Sequence, residues 1–252
     1  MAYNKNKVIF SGETEKDEDY AYRYNTQGYA IGTQWGLLVD RSNGNGYFNF
    51  QEEIDNGPKY EFGTPRLGDL KYVDLNNDGV INDKDVAPLT KGSLPNYTWG
   101  FNGQFKYNNF DLSFTFDAIG SYKTLTSGIG VYETSYDGVF GSRHLNAWTQ
   151  ERWNEGQNIT YPALSTKNST NHRDSDFFLE NRSYFKLKNL ELGYTLPASC
   201  TKGVGISKLR FVLQGQNLFC IDHMNNDDFG PENSYSTLSP YRSYSIGVRA
   251  TF

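Results

Sequence analysis

The residues most able to do chemistry lie in the run Asp74-Leu75-Asn76-Asn77-Asp78-Gly79-Val80-Ile81-Asn82-Asp83-Lys84-Asp85. Side-chain oxygens recur at alternate positions, on Asp74, Asn76 and Asp78. Gly79 follows where a tight turn needs a residue free to take positive φ. Val80 offers a backbone carbonyl, Ile81 is an apolar anchor, Asn82 can act through a water, and Asp85 closes the run with a carboxylate. This is the spacing of a calcium loop, in which a hard cation collects six to eight oxygens. The predicted ligands are therefore Asp74, Asn76, Asp78, Val80, Asn82 and Asp85. The last is one methylene shorter than the glutamate usual there, which limits its reach for two-oxygen coordination. The competing reading is an Asp/Asn-rich turn that binds nothing. Pro88, Gly92 and Pro95 follow, and proline interrupts helices. The spacing thus predicts one structural Ca²⁺ acting as a clip inside a long loop.

No other constellation points to a reaction. The three histidines, His144, His172 and His223, are scattered and show no metal-ligand or nucleophile–base spacing. Gly44-Asn45-Gly46 follows no strand-to-helix pattern, so phosphate cradling is not indicated. No catalytic residue is assigned and the chain is expected not to be an enzyme. Trp148 and Trp153, with Tyr132 and Tyr136, could stack on sugars; the expectation is that they pack a local core instead. The two cysteines, Cys200 and Cys220, flank a predicted strand about 40 Å long. A disulfide needs Cα atoms within about 7 Å, so both are expected to be free.

These loops must hang on strands. Tyr241–Phe252 places Tyr244, Ile246, Val248, Ala250 and Phe252 on one face and Ser243, Ser245, Gly247, Arg249 and Thr251 on the other. That period of two marks a strand with one apolar side. Tyr97–Tyr107 and Phe110–Ala118 alternate likewise around Asn108-Asn109, a pair suited to the primed turns of a hairpin. Phe110, Leu112, Phe114 and Phe116 are then predicted to face lipid, with Asp111, Thr115 and Asp117 facing a polar lumen. In Ser183–Leu196 the phase flips between Leu187 and Leu190, which predicts a bulge near Lys188-Asn189. Ser207–Phe219 alternates with breaks at Val212 and Leu218. Gly28–Val39 and Met1–Phe10 are weaker strand candidates. Connections alternate short and long, as in outer-membrane barrels, with all long ones on one end.

Composition is consistent with this. The mean hydropathy of −0.67 and the 37% hydrophobic content are low, yet aromatics reach 16% with 25 glycines. Disordered chains are poor in aromatics, so a polar-lumened barrel with aromatic girdles fits better. A soluble secreted β-rich carbohydrate-binding module with a calcium-stabilised loop is the alternative. The net charge of −5 and pI near 5.3 give no support for nucleic-acid binding. No apolar run approaches the ~20 residues of a membrane helix. Five to seven strands cannot enclose a lumen, since the smallest such barrels have eight, so a larger barrel is expected.

Several blocks carry a family likeness. Gly28-Tyr29-Ala30-Ile31-Gly32 with Trp35-Gly36 is one, and Gly68-Asp69-Leu70-Lys71-Tyr72-Val73-Asp74 running into the calcium-type loop is another. Pro95–Gly100 with Phe110–Ser113, Trp148-Thr149 and Tyr161-Pro162 continue the series. The most specific are Ser183-Tyr184-Phe185-Lys186-Leu187-Lys188-Asn189 through Pro197, Gln216-Asn217-Leu218-Phe219, and the ending Ser245-x-Gly247-x-x-Ala250-x-Phe252. Together they resemble the C-terminal region of SusC/RagA-type TonB-dependent outer-membrane transporters. The resemblance implies an all-β fold: the last antiparallel strands of a barrel of about 22 strands, with long outer loops, over residues 1–252. It implies location in the bacterial outer membrane and contact with outer-membrane lipid. It further implies uptake of oligosaccharides or peptides with a SusD-like surface lipoprotein, driven by TonB through an N-terminal plug part not contained in this sequence.

Overall fold

The computed structural model describes residues 1–12, 26–134, 138–167, 169–201, 203, 205–233, 237 and 239–252. Its main element is a seven-stranded sheet. The long strands are β6 (Tyr97–Tyr107), β7 (Phe110–Gly120), β9 (Leu179–Thr195), β10 (Lys208–His223) and β11 (Ser243–Thr251). Two short strands, β1 (Ala2–Tyr3) and β8 (Lys123–Leu125), add to it. The order is β1-β6-β7-β9-β10-β11, with β8 against β9, and every pairing within it is antiparallel. The hairpin turns at Asn108, whose φ of 51° is the left-handed value that asparagine tolerates.

Side chains opposite one another share a face, so the register sorts them. One row reads Phe105, Leu112, Leu192, Leu213 and Ile246; the next reads Tyr107, Phe110, Tyr194, Phe211 and Val248. Among the described residues nothing packs over this apolar face: Phe105 is 63% exposed and Ile246 84%. The opposite face carries Asp111, Thr115, Asp117, Lys186, Glu191 and Arg210. Arg210 bridges Asp111 and, at 2.7 Å, Glu191.

The expected bulge is present and is deeper than the phase flip suggested. Thr115 and Phe116 of β7 are consecutive, but their partners are Asn189 and Leu187, leaving Lys188 extra. On β10 the partners are Gln216 and Phe219, leaving Asn217 and Leu218 extra. Two extra residues restore the phase, which is why Leu213 and Phe219 remain on the same face despite the break at Leu218. Asn217 takes φ 51° there and its amide donates to Tyr241 O at 3.1 Å.

Two strand expectations shrink. In Gly28–Val39 only β2 (Trp35–Leu37) is a strand, and Met1–Phe10 contributes only β1. Both stretches are dominated by loop contacts rather than by a continuous partner. β2 pairs with β5 (Val86–Pro88) outside the main sheet.

The buried core does not lie on the sheet. Leu37, Val39, Tyr47, Phe48, Tyr60, Leu70, Tyr72, Ile81, Val86, Val131, Ala147, Trp148, Tyr161 and Phe178 form one cluster. Nearly all of it belongs to the long connections 38–96 and 126–178. Those connections hold short elements: α1 (Gln51–Asp55), α2 (Gln150–Asn154), and the parallel pair β3 (Lys59–Tyr60) and β4 (Val80–Ile81). They leave the sheet at the end where β6 begins and β7 finishes. The short connections, at Asn108-Asn109 and between β9 and β10, lie at the other end. No helix among the described residues is long and apolar enough to cross a membrane.

Candidate functional site

The run from Asp74 to Asp85 sits on the loop body and includes β4, which pairs with β3. Asn77 at φ 59° and Gly79 at φ 82° turn the chain. Gly79 carries the left-handed conformation without strain. Asp74 accepts from the backbone N–H of Asp78 at 3.3 Å and of Gly79 at 2.8 Å. Asn76 Oδ1 accepts from Asp78 N, and Asp78 Oδ1 from Val80 N. Asn82 caps the one-turn helix Asp83–Asp85 by accepting from Lys84 N at 2.8 Å. Asp85 is fully buried, and its two oxygens take the N–H groups of Leu75 and Asn82, each at 2.8 Å. Burial pushes its carboxyl above the usual carboxylate range, and Asp74 adds to that against the two N–H donors.

The donor set is therefore that of a calcium loop in kind: hard oxygens on a tightly turned backbone. In arrangement it is a ladder of side chains bonded to backbone N–H groups, and Asn76 turns its amide NH₂ toward Asp78 Oδ2. Each carboxylate oxygen retains a second lone pair. Among the described residues, no three carboxylate, imidazole or thiol side chains stand close enough to hold a metal ion.

The structure gathers other polar residues that spacing did not reveal. His172 Nδ1 accepts from Ser169 N at 3.1 Å, which leaves Nε2 to donate to Glu133 Oε2 at 3.0 Å. Glu133 Oε1 accepts from Ser165 N, and the Tyr161 hydroxyl lies 2.9 Å from Glu133 Oε2 and 2.8 Å from Val131 O. His144 Nδ1 accepts from Gly141 N, so Nε2 donates to Val131 O at 3.2 Å. Burial holds the His144 imidazole below its ordinary pKa. Burial pushes Glu133 up, but the His172 hydrogen bond and the surrounding N–H groups bring it below the ordinary glutamate value. The side chains of Glu133 and His172 are only 1% and 4% exposed, so the group is closed to any substrate. A second buried knot ties Asp69 to Asn171 (2.9 Å) and Thr170 (3.2 Å).

The aromatic candidates pack inward. Trp148 is buried in the core and its indole N–H donates to Asn49 Oδ1. Trp153 packs against the same core and meets Phe50 edge-on. Tyr132 lies between His172 and Phe178; Tyr136 lies outside the described residues. His223 sits at the end of β10, far along the chain from the other two histidines. Cys200 and Cys220 are free and exposed.

No family model matches the chain. It is 27% identical to TonB-dependent receptor P3 of Formosa agariphila, over 95% of this chain and 23% of that protein. It is 29% identical to TonB-dependent receptor P26 of the same organism, over 82% of this chain and 22% of the relative. The chain thus spans about a quarter of the length of the curated relatives it matches. Among solved structures it shares the fold of the RagAB peptide importer in its closed-closed state, with a TM-score of 0.63 and 19% identity, covering 99% of this chain and 26% of that one. The RagAB open-open state gives a TM-score of 0.59 at the same coverage. In sequence, then, the chain is similar to TonB-dependent receptors over most of its length, and in fold it is similar to about a quarter of the RagAB peptide importer.

Proposed function

We propose that the intact protein imports an oligosaccharide or a peptide across the outer membrane, and that this chain supplies part of its barrel wall and outer face. One observation carries the reading. The strands turn an uncovered apolar face outward while the chain's own core is gathered in the connections at one end. A soluble carbohydrate-binding module would bury that sheet face, because exposed apolar patches of this size are otherwise interaction surfaces. The relatives are named as TonB-dependent receptors, and the structural neighbour is a peptide importer. A SusD-like lipoprotein is the proposed partner on the loop body, and TonB the proposed source of energy. On this reading the segment acts by binding and packing; the Glu–His–Tyr group described above is buried. Uptake of labelled oligosaccharides and peptides by cells with and without the gene tests the reading. Equal uptake of both classes in the two strains would refute it.

We also propose that the loop from Asp74 to Asp85 takes up Ca²⁺ through Asp74, Asn76, Asp78, Asn82 and Asp85 and the Val80 carbonyl. The oxygen spacing and the turn at Gly79 support this; Asp74, Asp78 and Asp85 would have to draw together around the ion, since among the described residues they do not stand close enough to hold one. The ion would neutralise carboxylates and stiffen the loop. Isothermal titration of the purified receptor with CaCl₂ decides it; no heat of binding at millimolar calcium would refute it.

A further inference from the structure

The apolar face of the sheet ends, toward the long connections, in Tyr3, Tyr97, Trp99, Phe185 and Ile221, all exposed. Just beyond them lie two cavities, one of about 630 Å³ and one of about 510 Å³. They share Thr90, Lys91 and Ser121, so they adjoin as the two parts of one recessed area. Lys5 lines the first part; Lys123, Asn181, Ser183 and His223 line the second.

The recess lies on the same side as the apolar band. Along β9, Asn181 and Ser183 alternate with Arg182 and Tyr184. The latter two turn to the loop over the polar side, Arg182 to Asn233 O at 2.6 Å and Tyr184 to Glu232 at 3.1 Å. Lys123 is directly opposite Asn181. Asn181 pairs with His223, only two residues beyond Ile221, across an irregularity at Arg182-Ser183, so it lies about 7–13 Å beyond Phe185 along the sheet. The recess therefore adjoins the end of the apolar row on the loop-bearing side; with that row facing lipid, it would sit just above the apolar layer.

Its charge is one-sided. Lys5, Lys91 and Lys123 line it, and no carboxylate does. None of the three makes an ion pair among the described residues, in a chain whose net charge is −5. Hydroxyl and amide groups of Ser121, Ser183 and Asn181 stand beside them. Cations, short polar donors and an adjoining aromatic rim match a lipid that is anionic at its head and apolar below.

We propose that this recess binds the phosphorylated headgroup of an outer-leaflet glycolipid, whose acyl chains run down over Trp99, Phe185 and Ile221. The proposal rests on the outer-membrane barrel reading, with the long connections outside. The test uses the full-length receptor in neutral detergent and measures binding of bisphosphorylated lipid A by native mass spectrometry. Replacing Lys91 and Lys123 together by Gln should weaken binding about 30-fold, two lysines acting beside an anionic headgroup. The pair Lys91→Arg and Lys123→Arg should retain it. Dephosphorylated lipid A, tested on the unaltered receptor, should bind far more weakly. Equal binding of the two lipids, or unchanged binding by the Gln pair, overturns the proposal. Displacement by inorganic phosphate at the lipid's own concentration also overturns it, by marking a site for soluble anions. A heat-dependent gel shift and outer-membrane fractionation of the unaltered receptor report separately on the barrel itself.

Discussion

Replacing Phe114 by Arg probes which face of the sheet meets lipid. Phe114 stands midway along the apolar row from Phe110 to Ala118. That row spans about 26 Å of strand, or about 20 Å of depth at a barrel tilt near 40°, which puts Phe114 close to the bilayer midplane. Its ring lies across Gly103, where any Cβ would collide with it, and its centroid is 5.5 to 6.0 Å from those of Phe101, Phe105 and Phe116. Arginine at midplane costs about 2–4 kcal/mol, and loss of the aromatic contacts adds about 1 kcal/mol. A total near 3–5 kcal/mol is expected. Thr115→Arg is the control, one residue along and on the polar face. It loses a 2.8 Å hydrogen bond to Asn102 Oδ1, worth about 1 kcal/mol. Urea unfolding of the full-length receptor refolded into vesicles, followed by tryptophan fluorescence, gives both values. Equal costs, or a larger cost at Thr115, would refute the assignment of faces.

Other expectations follow from the loop body and the polar wall. Tyr161→Phe removes the hydroxyl shared by Val131 O and Glu133; the buried acceptors left behind should cost about 1–3 kcal/mol, read as faster hydrogen exchange across residues 126–178. Glu133 has its folded pKa below its ordinary value, so its contribution is complete above about pH 4.5 and is lost as pH falls through the folded value. Acid should therefore loosen the loop body to proteolysis before the strands unfold, and Glu133→Gln should flatten that dependence. Arg210→Met strands Asp111 and Glu191 against each other and should cost about 1.5–3 kcal/mol in the same urea assay. Asp78→Ala should abolish the calcium heat in titration while leaving the strands' urea midpoint unchanged.

The amino-acid order by itself determined the long strands and their faces. Side chains alternate across a strand as a matter of covalent geometry, so Phe110–Ala118 and Tyr241–Phe252 declare both element and orientation without knowledge of a partner. The bulge at Lys188 was legible for the same reason, since one extra residue inverts the phase. Its second half at Asn217-Leu218 was obscured, because two extra residues restore it. The turned backbone of the loop at Asp74–Asp85 was likewise readable from spacing. What tertiary structure alone decided is where the core lies and what it holds together. Glu133 meets His172 across 39 positions and Asp69 meets Asn171 across 102. Neither pair leaves a periodic trace, because irregular connections have no repeat that ties position to direction. The three histidines looked scattered for that reason, although His144 and His172 close on the same Val131–Glu133 segment. The same lack of period hid the recess beside Lys91 and Lys123, which exists only because β5 and the loop after it are brought up to β8 and β9.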